Sequence, residues 1–111
     1  MNKIKKDRFY RSRGGSTQLL SIYCSQCGNH ICNYQKDGTG NLHRMYLDRI
    51  VETNPDFVIP NYQPNLAEKE LPNLTCKCKN RIAVPMIYEK ENRLAFRLLH
   101  GAIHKSKIKI K

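Results

Sequence analysis

Two close pairs of cysteines, Cys24-Ser-Gln-Cys27 and Cys76-Lys-Cys78, separated by 48 residues, constrain this chain more than any other feature it carries. A close pair can be a redox couple, half of a disulfide framework, or half of a metal site. The total of five cysteines leaves one thiol over in any fully bridged scheme. The opening Met1-Asn-Lys-Ile-Lys-Lys6 is basic but no apolar run follows it, and no stretch approaches the roughly 20 apolar residues of a membrane span. A cytoplasmic location is the expectation, and in that compartment thiols stay reduced and cysteine clusters bind metal more often than they bridge. A redox pair would sit at a helix N-terminus inside a βαβ unit. Here Cys27 is followed by "GNHICNYQ", a strand pattern.

Zinc takes four ligands at tetrahedral corners, with thiolate sulfur at about 2.3 Å. Cys27-Gly28 supplies a tight turn that can aim two sulfurs at one point. The later pair is one residue short of the usual spacing. On an extended strand, alternate residues share a face but stand roughly 6–7 Å apart, whereas two sulfurs on one zinc lie within about 4 Å, so Cys76 and Cys78 must converge through a bend. The expected set is Cys24, Cys27, Cys76 and Cys78 on one Zn2+, with Cys32 and His30 open as substitutes for a later ligand. Without that duty Cys32 reads as a small buried hydrophobe on a strand, and His30, His43, His100 and His104 as ordinary surface or core histidines.

Between these points the chain reads mainly β. "TQLLSIYC", Thr17 to Cys24, is a strand that delivers the first cysteine, and "HICNYQ" is a second. Asp37-Gly38 then predicts a hairpin turn, since glycine accepts the positive φ such turns need. That turn favours a strand for "NLHRMYLDRIVE", residues 41–52, although Leu42, Tyr46 and Ile50 are also spaced for a helix. Its Arg44 and Arg49 alternate with Asp48 and Glu52, which suggests a solvated face or local ion pairs. Residues 53–73 hold four of the five prolines and read as an irregular loop in which Phe57, Val58, Ile59 and Tyr62 pack on the core or on a protein partner. "RIAVPMIYEK" is a strand with an edge or bulge at Pro85, Glu91-Asn92 a turn, and residues 93–103 a strand or a short helix ended by Gly101.

With both cysteine pairs in view, the chain resembles the four-cysteine zinc-ribbon proteins and, by its wide spacing and β-rich filling, the β-tent zinc folds. The likeness covers roughly residues 20–90 and rests on Cys24, Cys27, Gly28, Cys76 and Cys78. It implies a small zinc-stabilised antiparallel β domain in which two cysteine pairs clamp the sheets together. It bears on architecture more than on activity. The expected organisation is a basic N-terminal arm over 1–16, a zinc-binding β domain over 17–103 that includes the proline-rich loop, and a basic C-terminal tail over 104–111.

The net charge of +11 is concentrated at the two ends. Residues 1–13 carry six basic groups against Asp7, residues 97–111 carry five and no acid, and the 83 residues between them hold nine basic and eight acidic groups. Such ends suit a polyanion, because each Lys or Arg set on a phosphate releases condensed counterions. No amphipathic basic helix or lipidation signal accompanies them to favour a membrane surface. The expectation is a non-enzymatic binder of RNA or a ribonucleoprotein, with Arg8, Arg11, Arg13, Lys105, Lys107 and Lys109 on the backbone and Tyr10, Tyr34 or Tyr46 stacking on bases. The competing reading is a protein-interaction adaptor using the proline-rich loop. Neither the deaminase signature nor a phosphate-binding glycine loop occurs: "KDGTG" lacks the spacing and the Lys-Ser/Thr end.

Overall fold

The computed structural model describes residues 17–38, 40–57, 59 and 66–108. Arg8, Tyr10, Arg11, Arg13 and Lys109, with the arm expected over 1–16, lie outside the described residues. Eight strands form two antiparallel sheets. Strands β1 (Thr17–Cys24), β2 (His30–Asp37), β4 (Ile50–Thr53) and β8 (Ile103–Ile108) make the first, in the order β4-β2-β1-β8. Strands β3 (Arg44–Tyr46), β5 (Leu74–Thr75), β6 (Arg81–Tyr88) and β7 (Arg93–Leu98) make the second, in the order β3-β7-β6-β5. Short 3-10 turns at Leu47–Arg49 and Glu68–Glu70 are the helical elements among the described residues, and no described helix is long and apolar enough to cross a membrane.

The core lies between the sheets. Period-two alternation along β1 turns Leu20, Ile22 and Cys24 to one face, where they meet Tyr34 and Cys32 of β2 across Leu20↔Tyr34 and Ile22↔Cys32. The second sheet supplies Met45, Leu74, Ile82, Ala83 and Phe96 to the same cluster. Each Leu, Ile, Met or Phe side chain among them, fully removed from water, contributes about 1.5–3 kcal/mol. Phe57 and Leu71 are buried in it too, with Ile59 and Leu66 packed against it. The apolar residues described in the proline-rich segment therefore serve this chain's own core, while residues 58 and 60–65, Val58 and Tyr62 among them, lie outside the described residues. Pro85 sits opposite Phe96 on β7, beyond the point where β5 has ended, which is where a strand tolerates a missing amide donor.

Three expectations need correction. Asp37-Gly38 does not close a hairpin: the chain leaves the first sheet at β2, forms β3 in the second, and returns as β4 to pair with β2 through Cys32↔Thr53 and Asn33↔Glu52. Residues 41–52 are accordingly two short strands and a 3-10 turn. The segment set apart as a basic tail begins as a strand, because β8 pairs with β1 from Cys24↔Ile103 to Leu19↔Ile108. Of the two readings of the charges over 41–52, the structure shows ion pairs for Arg49 and Asp48, which meet each other at 4.0 Å. Arg49 is 1% exposed and donates to Asp37 at 2.8 Å, while Asp48 receives the buried Arg93 at 2.8 Å.

That last arrangement has an architectural effect. Asp48 and Arg49 are neighbours in the turn where the chain crosses from β3 to β4. Asp48 holds the first residue of β7 in the second sheet, and Arg49 holds the last residue of β2 in the first. One turn thus grips both sheets. The guanidinium of Arg93 also lies 3.8 Å over the Tyr46 ring, which in turn meets Tyr88 edge-on, and its other arm reaches Glu91 at 3.0 Å. Planar, weakly hydrated and always charged, Arg is suited to such buried positions.

Candidate metal centre

At the end of the sandwich remote from this latch, β1 of the first sheet runs into the turn carrying Cys24 and Cys27, and β5 of the second into the turn carrying Cys76 and Cys78. The two turns are built alike. In the first, the Cys24 amide donates to Asn29 O (2.9 Å), the Gly28 amide donates back to Cys24 O (2.9 Å), and Gly28 has φ +76°. In the second, the Cys76 amide donates to Asn80 O (2.9 Å), the Lys79 amide donates back to Cys76 O (2.8 Å), and Lys79 has φ 73°. Each turn places its second cysteine immediately before a residue in the left-handed region. The Cys76-x-Cys78 pair is therefore the same knuckle closed with one residue fewer, and this supplies the bend that the short spacing demands.

The four sulfurs lie within 4.8 Å of one another, with Cys27 Sγ–Cys76 Sγ at 3.4 Å and Cys24 Sγ–Cys78 Sγ at 3.6 Å. Corners of a tetrahedron about 2.3 Å from its centre are about 3.8 Å apart, so these separations fit one thiophilic ion. Cys24 and Cys76 are buried, and Cys27 and Cys78 face solvent, which gives an ion a way in. Both short contacts cross from one knuckle to the other, so an ion held here ties the two sheets together.

The electrostatics are those of a thiol cluster short of positive charge. Burial opposes ionisation of Cys24, but the amides of Cys27 and Gln26, the side-chain amide of Asn80 and the Cys78 thiol outweigh it and bring the thiol down to about 6. Cys76 moves the other way, mainly through burial. For Cys78 the Asn80 amide favours the thiolate, yet desolvation and the neighbouring thiols of Cys24 and Cys76 together raise it. One thiolate forms readily and its neighbours then resist. A divalent cation removes that conflict.

Asn80 holds this geometry from outside the ligand set, and nothing in the sequence singled it out. Its Nδ2 lies 3.4 Å from Cys24 Sγ and 3.2 Å from Ala102 O, linking a sulfur to the β7–β8 turn. That turn docks on the first knuckle through Ser25 N to Ala102 O at 3.0 Å and Ser25 Oγ to Gly101 O at 2.7 Å. Such partners fix a ligand's orientation as much as the ion does.

The two substitutes for a later ligand lie elsewhere. Cys32 is fully buried, 4.0 Å from Met45 Sδ, and burial pushes its thiol up to about 12, the state of an inert core residue. The His30 Nε2 pairs with Asn33 Oδ1 at 2.9 Å, and its ring meets Tyr23 edge-on. Of the residues expected on a polyanion, Lys105 and Lys107 are exposed on the outermost strand of the first sheet. Tyr34 is buried with its hydroxyl accepting from the Tyr46 amide at 2.8 Å, and Tyr46 is covered by Arg93, so neither is available to stack on a base. No protein-family model, no curated protein and no solved structure matches this chain, so its chemistry has to be read from the geometry alone.

Proposed function

We propose that this chain is a zinc-stabilised β module that binds nucleic acid, RNA or a ribonucleoprotein in particular, and catalyses no reaction. Zinc is the ion favoured by four thiolates in tetrahedral reach, and a set of four protein sulfurs leaves no open coordination position for a substrate or water. The supported role of the ion is structural.

One observation carries the binding reading. Strand β8 is an outer strand of its sheet in which His104, Lys105, Ser106 and Lys107 are all exposed, and the two lysines have no carboxylate partner among the described residues. Unpaired cations on a firmly seated strand, in a chain of net charge +11, present a fixed positive rail to a phosphate backbone. Arg8, Arg11, Arg13 and Lys109, outside the described residues, are proposed as further contacts to the phosphate backbone. The test is fluorescence anisotropy of a labelled single-stranded RNA at several salt concentrations. Log affinity should fall linearly with log salt, and replacing Lys105 and Lys107 with Ala should flatten the slope by about 1.4, since each contact with a single strand contributes about 0.7. Absence of binding at low salt would overturn this reading in favour of the protein-interaction adaptor, with residues 53–73 as its docking segment.

A further inference from the structure

Two adjoining cavities share the wall formed by Asn41, Leu42 and His43. The smaller, about 150 Å³, is lined by Lys36, Asp37, Arg44 and Arg49 together with Tyr34 and Tyr46. The larger, about 460 Å³, is lined by Leu98, Leu99, Ile103, His100, His104 and Lys105. Their charge is one-sided. Asp37, the acid of this lining, is already engaged by Arg49 at 2.8 Å, which leaves Lys36, Arg44 and Lys105 without a carboxylate in ion-pair reach among the described residues.

Lys36 is the telling member. Three cationic side chains are buried in the described chain, and the other two, Arg49 and Arg93, lie against carboxylates. Lys36 is 8% exposed, and its ammonium donates to the carbonyl of Gly38 at 3.1 Å instead. A buried charge without a counter-ion is costly, and proteins that keep one commonly use it. Burial first, and the charge of Lys105 second, make the ammonium harder to maintain, while Asp37 only partly offsets them. An anion in the cavity would relieve both strains together.

Size and lining define that anion. The smaller cavity, at about 150 Å³, has room for one tetrahedral phosphoryl group. A dianion also explains the need for more than one cation. The larger cavity falls in the range of small-molecule sites and sets Leu42, Leu98, Leu99 and Ile103 among imidazoles, a surface for a flat ring rather than for another charge.

We propose that this cleft binds a nucleoside 5′-monophosphate group, with the phosphoryl oxygens on Lys36 and Arg44 and the heterocycle against Leu42, Leu98 and Ile103 beside His43. A free nucleotide and the phosphorylated end of a nucleic-acid strand offer the same chemistry. The site deepens the nucleic-acid reading without resting on it, because a free nucleotide would satisfy it with no nucleic-acid strand lying along β8.

Isothermal titration of the full chain at fixed ionic strength tests this, using 5′-AMP, adenosine and a short single-stranded oligonucleotide with either a 5′-phosphate or a 5′-hydroxyl. AMP should bind at least ten-fold more tightly than adenosine. Lys36→Met should cost at least ten-fold in AMP affinity, and Arg44→Gln several-fold. Arg44 is partly exposed, stacked 4.2 Å over Tyr88, so its variant remains informative should the Lys36 variant fail to fold. A tighter 5′-phosphorylated oligonucleotide identifies the strand end as the ligand, and AMP binding without that gain identifies the free nucleotide. The proposal is overturned if AMP does not bind, if adenosine binds as well as AMP, or if a folded Lys36→Met or Arg44→Gln variant binds AMP like the parent. Loss of oligonucleotide binding in a Lys107→Ala variant, which lies outside the cleft lining, with AMP binding retained would concern the β8 surface and leave the cleft standing.

Discussion

Removing the metal should destabilise this fold by an amount that the chain's own connectivity sets. The contact Cys24–Cys78 spans 54 residues, and a cross-link across that span withholds from the unfolded chain a loop-closure entropy worth about 4 kcal/mol at 25 °C. The ion acts as such a cross-link as long as it stays on the folded state. A chain of 111 residues unfolds with an entropy of roughly 0.2 kcal/mol/K, so the loss should lower Tm by roughly 15–20 °C. Domains of this size hold only about 5–15 kcal/mol in total, which leaves the stripped protein marginal at 37 °C. The assay is a circular-dichroism melt of protein prepared without added metal, before and after dialysis against a strong chelator, with metal per chain measured on both samples. Readdition of one equivalent of Zn2+ should restore the original curve. If the natively prepared protein carries a full equivalent of metal and its Tm falls by less than about 5 °C on stripping, the claim that the ion ties the two knuckles is wrong.

Further expectations are narrower. Cys32→Ser should keep one metal per chain yet lose about 1–3 kcal/mol by burying a hydroxyl at a site built for a thiol, whereas Cys78→Ser should lose the metal; stoichiometry and melting of the two variants separate the roles. Lys79→Gly should stabilise by roughly 0.5–1 kcal/mol, since φ 73° strains any residue with a Cβ, and a fall in Tm would show that the second knuckle is held differently. Acidification should release the metal. The Cys24 thiol, already at about 6, lies below its ordinary 9.0, so its contribution is full only above about pH 9, declines as pH falls from there, and is gone once pH has passed below about 6. With an ion bound the release midpoint should lie below about pH 6, read with a chromogenic chelator, and a midpoint above pH 7 would contradict the ligand set. Asp37→Ala should cost about 1–3 kcal/mol by removing the nearer of Arg49's two carboxylates, Asp48 remaining at 4.0 Å, and the double variant Asp37→Ala with Arg49→Met should recover part of it in urea melts; no recovery would mean that Arg49 matters for packing alone.

What could be read from the sequence was what is local. Strand β1 occupies the span read for it, Thr17 to Cys24, because its apolar alternation is the strand signal itself. The four cysteines came together because few other arrangements use two close pairs. The hairpin at Asp37-Gly38 failed because turn chemistry reports that the chain bends, not which sheet the next strand joins, and here Asp37 serves Arg49 rather than a tight turn. For Arg49 the alternating charges allowed ion pairs, which form, but alternating charge looks the same whether the pair lies in water or in a core, so its burial was not legible. The short knuckle resisted reading since left-handed backbone is expected of glycine or asparagine, and Lys79 carries no such signal. Asn80, Lys36 and β8 owe their roles to neighbours more than 20 residues away, or to a cavity that only the assembled sheets create.

The placement of these features explains what a four-cysteine cluster and buried ion pairs can each do for a chain this short. Each sheet has only four strands, two of the eight have three residues or fewer, and a core of this size leaves little margin after the conformational entropy of ordering it. Packing area alone does not fix how the two sheets sit, since apolar surfaces slide at little cost. Directional bonds do. At one end the knuckles of Cys24 and Cys76 bind sheet to sheet through sulfur, and at the other the adjacent Asp48 and Arg49 hold one sheet each through guanidinium–carboxylate pairs. The first clamp depends on a bound ion, while the second needs none. The cleft lined by Lys36 and His43 lies beside the second clamp, with Arg49 and Asp37 in its wall, so the permanent clamp holds in place the cations proposed to meet a phosphate. A metal-free chain that keeps this end assembled would therefore retain part of its affinity for the phosphoryl group while losing the register of β8 against β1, whose last residue belongs to the four-cysteine cluster.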